Sequence, residues 1–172
     1  MLYRYVLLGL LLIISVTSDI RSYRIHNLPV AVALGAGLVL NLILNGPSGL
    51  VSSLLGAFIP ALLLMALFAL RMLGAGDIKL FCAIGSLMGL SFVVYTMAFS
   101  FLAGGVMAIA VMLVRGNIKQ RLQHIAAYLK TCFFTGRFTA YTDFGDKSDG
   151  AKFHFSFAIA VGCTIQILIL HF

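Results

Sequence analysis

Apolar runs alternate with short polar breaks along almost the whole chain. Residues 2–18 form the first run, interrupted only by Arg4, whose long stem lets its charge reach an interface. A short polar stretch follows from Asp19 to Asn27. The second and third runs, residues 28–44 and 50–70, are separated by Asn45-Gly46-Pro47-Ser48-Gly49, an uncharged stretch with turn composition. Arg71 closes the third run and a turn from Gly74 to Asp77 comes next. The fourth run, residues 78–90, is shorter than the roughly 20 residues a crossing helix needs; it starts below the surface or has thinner membrane beside it. Residues 91–114 carry Gly104-Gly105, small residues of the kind found where membrane helices touch. Residues 153–172 make the last run. The pattern predicts an all-α membrane protein of about six transmembrane helices, folded as a single polytopic domain over residues 1–172.

The one long soluble piece is the loop 115–152. Within it Ile118, Leu122, Ile125, Leu129 and Phe133 recur at steps of three and four, with Lys119, Arg121, His124 and Lys130 between them. This is the pattern of an amphipathic helix lying on the membrane surface, with the lipid bilayer as its partner, the alternative being a partner-binding face.

Composition agrees. The chain is 62% hydrophobic and 10% charged, with a mean hydropathy of +1.09, whereas soluble domains carry about 25% charged residues. The net charge of +7 reads as topology rather than nucleic-acid binding. With the loops after runs one, three and five on one side, that side holds eleven of the twelve basic residues and the other holds Arg4 alone. The positive-inside rule then makes the basic side cytoplasmic and puts both termini on the periplasmic side. No small-residue cleavage site follows the first run, so a removable signal peptide is not expected. Cys82, Cys132 and Cys163 are scattered and read as apolar packing residues.

Acidic side chains number only five, all aspartate. Asp19 ends the first run and Asp77 begins the fourth, so the charge count brings both to the cytoplasmic mouth. Carboxylates beside hydrocarbon are costly and usually serve a purpose. Two that meet share a proton, one acting as general base on water and the other as general acid toward a carbonyl oxygen. The plainer reading has Asp19 capping a helix or pairing with Arg21 or Arg24, and Asp77 capping the fourth helix; both readings can hold together.

Gly74-Ala75-Gly76-Asp77-Ile78-Lys79-Leu80 resembles the GxGDxKL signature of the type IV prepilin peptidases, bacterial membrane-embedded aspartic proteases. Asp19 to Asn27 is similar to that family's first-aspartate motif, and Lys152-Phe153-His154-Phe155 with Ala158 and Gly162 is similar to its last-helix pattern. The resemblance implies that Asp19 and Asp77 are the catalytic pair, with Gly74, Ala75, Gly76 and Lys79 in the active-site motif. Arg21, Arg24 and Asn27 become candidates to face substrate. It further implies a prepilin or pilin-like precursor as substrate, cut after a glycine that ends a short basic leader, at the cytoplasmic face of the bacterial inner membrane. Asp19 to Asn27 leaves no room for the paired-cysteine insert of the larger members, so their methyltransferase activity is not expected. The chain looks more like the short Flp-pilus, or tight-adherence, type. His26 stands where the family usually has Pro. The presenilin-type proteases share Gly-x-Gly-Asp but pair it with Tyr-Asp, and Ser18 precedes Asp19 here.

Other candidates are weaker. Asp143, Asp146 and Asp149 step by three and lack the closing Glu of a calcium loop, so a solvated turn is expected. Asp143-Phe144-Gly145 has none of the accompanying kinase motifs. His26, His124, His154 and His171 show no metal-ligand spacing, and no metal or cofactor is expected. Lys79 lies about 200° round a helix from Asp77 and either snorkels or influences the charge of the pair. The rival reading is a small proton-coupled transporter with Asp19 and Asp77 as relay carboxylates; a structural assembly subunit would leave the two matched acids unexplained.

Overall fold

The computed structural model describes residues 2–22, 25–70, 72–115 and 155–171. The expected surface helix in 115–152, Arg24, and the aspartates Asp143, Asp146 and Asp149 lie outside the described residues. Among those described, the chain forms five helices: α1 (Leu2–Ser22), α2 (Asn27–Ala69), α3 (Ala75–Met88), α4 (Leu90–Arg115) and α5 (Phe155–His171). The first, second and fourth are long and apolar enough to cross a membrane, and α5 is a shorter apolar helix. Their outward faces carry exposed Leu28, Ile43, Leu102 and Val114, while Ser53, Ser86, Thr96 and Ser100 are buried. That inversion of the soluble pattern is what a lipid solvent selects, since acyl chains accept leucine freely and helices associate through small polar residues. The architecture is all-α and of the membrane type.

Two boundaries differ from the sequence expectation. Helix α1 runs on through Ser22, so Asp19 stands in its last turns and not in a loop. The second and third runs are not separated by a five-residue turn. Helical geometry persists from Asn27 to Ala69 except at Gly46, with φ 64° and ψ −153°. This backbone conformation is open to glycine and strained for residues with a Cβ. Pro47, next in line, has the fixed φ that suits a helix start.

The break turns α2 into a hairpin. Asn41 on the first limb and Ser53 on the second both donate to the carbonyl oxygen of Ser86, at 2.8 and 2.5 Å. Helix α3 therefore lies in the groove between two antiparallel limbs. Asn41 also reaches Leu87 O at 3.2 Å, and Ser86 Oγ donates to Leu34 O at 2.8 Å. At Gly56 and Gly85 the limb and α3 touch backbone to backbone, and a Cβ on either would collide with the carbonyl of the other. Leu80, Phe81, Ile84 and Leu87 of α3 are fully or almost fully buried, so this short helix is the centre of the core. Gly89, with φ 92°, hands α3 directly to α4.

Candidate active site

Helix α3 begins with Gly74 as its N-cap residue. Asp77 is thus the third helical residue and not the cap, a correction to the plainer sequence reading. From that position its carboxylate reaches back over Gly74, whose backbone N–H it accepts, as the third residue does in a capping box. A Cβ on Gly74 would lie 3.0 Å from Asp77 Oδ2, so the glycine leaves the space the carboxylate uses. Gly76 faces Ile25, 3.2 Å from where its own Cβ would be, and Ala75 is exposed.

Helices α1 and α5 run in opposite directions past this point. The start of α1 meets the end of α5, where the rings of Tyr5 and His171 lie 5.6 Å apart. The far end of α1 meets the start of α5, where Ser156 Oγ donates to Asp19 Oδ2 at 2.6 Å. Ser156 is fully buried. Its helix is pinned there by aromatic contacts: Phe155 lies 6.4 Å from Phe81 of α3 and 5.6 Å from Phe101 of α4.

Asp19 and Asp77 thus belong to the same end of the bundle and feel each other. Asp77 stands at the mouth, ahead of the apolar run of α3. Its carboxyl is pushed up to about 7, first by burial and then by the negative charge of Asp19, with the Gly74 bond working in the other direction. Such a group still holds a proton near neutrality beside a second carboxylate. One acid and one base within reach of each other can activate water against a carbonyl.

The remaining sequence candidates distribute around this pair. Lys79 Nζ donates to Asn27 Oδ1 at 3.0 Å, tying the first turn of α3 to the start of α2. Lys79 is exposed. His26 Nδ1 lies 2.5 Å from Ser18 Oγ, which fixes the approach from α1 to α2. Arg21 is exposed in the last turn of α1. Sequence reasoning missed Ser156. The available signal was a hydroxyl between Phe155 and Phe157, on the first turn of the last apolar run, at the end that also holds both acids. Among the described residues no group of three or more His, Cys, Asp or Glu is placed to hold a metal ion.

The family model described as the type IV leader peptidase family matches residues 5–109, which takes in α1, α2, α3 and most of α4 and includes both aspartates. No curated protein and no solved structure gave a match. The match extends over more than half of the chain, and it joins the two acid-bearing helices with the hairpin that holds one of them in place: this protein belongs to the type IV leader peptidase family.

Proposed function

We propose that the protein is a membrane-embedded aspartic endopeptidase that removes the short basic leader from prepilin or pilin-like precursors. The observation that carries the reading is the raised, proton-holding carboxyl of Asp77 beside Asp19. Asp77, raised to about 7, serves as the acid, and Asp19 serves as the base that takes a proton from water. The hydroxide equivalent adds to the scissile carbonyl carbon as Asp77 gives its proton to the carbonyl oxygen. Collapse of the tetrahedral diol breaks the C–N bond as the proton held by Asp19 passes to the amine and one diol hydroxyl returns its proton to Asp77. Ser156 orients Asp19 through its hydroxyl. The pair works at the cytoplasmic face, with both termini periplasmic, as the distribution of basic residues supports. The short Flp-type reading, without methyl transfer, rests on the absence of room for an insert between Asp19 and Asn27. A proton relay would need acids spread toward the bilayer midplane, whereas both belong to one end.

Leader removal in membranes carrying each variant tests this. Asp19→Asn and Asp77→Asn are each expected to abolish cleavage at normal protein level, because Asn keeps the shape and carries no exchangeable acid proton. The double variant should be scarcely worse than either single one, since the two act as a unit. Asp143→Asn, in the expected solvated turn, should cleave at the wild-type rate. Substantial cleavage by either single Asn variant would overturn the mechanism.

A further inference from the structure

The end of the bundle opposite the aspartates holds a cavity of about 340 Å³ lined by Arg4, Tyr5, Met88, Ser91, Phe92, Tyr95, Gln166 and Leu170. Its size is within the range of about 300–1,000 Å³ typical of ligand pockets. Among the described residues the buried Nε of Arg4 has no hydrogen-bond partner, and Gln166, with 5% of its surface exposed, lines the cavity beside it. Buried amides and guanidinium groups in native proteins are satisfied almost without exception, and at membrane depth water is a poor substitute. Gln166 lies five residues before His171, about 7.5 Å inward from the end of α5 at 1.5 Å per residue.

The lining identifies what satisfies the guanidinium. Arg4, Tyr5, Ser91, Tyr95 and Gln166 all carry hydrogen-bond donors, and among the described lining residues Arg4 has the formal charge and none is a carboxylate. Donors around a guanidinium select a phosphate-like anion. Met88, Phe92 and Leu170 supply an apolar wall beside them, which free phosphate does not use and an acyl chain does. We propose that this cavity is a phospholipid-binding site, in which Arg4 and Gln166 bind the headgroup phosphate while one acyl chain lies along Met88, Phe92 and Leu170. This site is independent of the peptidase reading.

The test uses the full chain in an uncharged sugar detergent and a phosphatidylglycerol probe with a photoreactive acyl chain. Labelling is expected on peptides containing Met88 to Tyr95 or Gln166 to Leu170. Unlabelled phosphatidylglycerol should compete, whereas diacylglycerol, which lacks the phosphate, and inorganic phosphate, which lacks the chain, should not. Arg4→Gln should weaken probe binding about tenfold or more, the worth of one charge-assisted hydrogen bond, and Gln166→Leu should weaken it as well. Competition by diacylglycerol equal to that by phospholipid would mean unspecific annular lipid and would overturn the proposal. Competition by inorganic phosphate would replace it with a free-anion site. Should a variant fail to fold, the competition arms on the wild-type chain decide by themselves.

Discussion

Two polar clusters in this bundle are built from unlike chemistry. In the seam between α2 and α3, Asn41, Ser53 and Ser86 are neutral and buried, and their donors go to the backbone carbonyls of Leu34, Ser86 and Leu87. At the mouth, Asp19, Asp77 and Lys79 are ionisable, and Asp77 is held in a state unlike that of a free carboxylate. Polar residues of the seam hold helices together where hydrophobicity supplies no driving force. Those of the mouth keep a charge poised at an edge. Position within the membrane protein separates the two roles less well than the presence of an ionisable group does.

The seam gives the largest expected effect. Gly85→Leu drives a side chain into the Gly56 carbonyl, and overpacking against backbone has no soft neighbour to yield. Folded protein should be lost from the membrane, read as the monodisperse fraction after extraction, and cleavage should fall with it. A well-folded Gly85→Leu protein would show that the seam is not the frame.

At the mouth, pH is the stronger lever. Because the Asp77 carboxyl is raised to about 7, the shared proton is present below that value and lost above it. Leader cleavage should therefore drop about tenfold for each pH unit beyond roughly 7. A rate that stays flat to pH 9 would remove Asp77 from the acid role.

Ser156→Ala comes next. Hydrogen bonds to charged groups are worth about 1.5–3 kcal/mol, so kcat should fall on the order of tenfold with KM little changed. Ser156→Thr should restore most of it. A loss explained wholly by reduced protein level would make Ser156 a packing residue. The smallest effect is expected from Asn41→Leu. Interhelical hydrogen bonds in membranes contribute about 0.6 kcal/mol and at most about 1.7, so thermal stability should slip while cleavage per folded molecule stays at the wild-type level.

Much of the fold is legible in the sequence. The apolar runs announced the helices because hydrocarbon demands uninterrupted hydrophobicity, and five acids in an apolar chain of 172 residues are conspicuous. Ser156 was not conspicuous, since a serine in a membrane helix is ordinary and only the antiparallel course of α1 and α5 brings it to Asp19. The hairpin was half legible: Asn45-Gly46-Pro47 signals a turn, but that Gly46 alone breaks the helix follows from the limbs closing on α3. Asp77 as third residue, with Gly74 at the cap, was beyond pattern reading, because helix starts shift by a residue or two.

The Gly46 break has a consequence for biosynthesis. Its two limbs are neighbours in sequence and their tip is uncharged, so they can enter the bilayer together as soon as both have left the ribosome. They then wait with an open groove until α3 arrives with Asp77. Ser156, 137 positions after Asp19, comes later still with α5. A chain still being made therefore holds Asp19 and Asp77 before the hydroxyl that binds Asp19 has arrived.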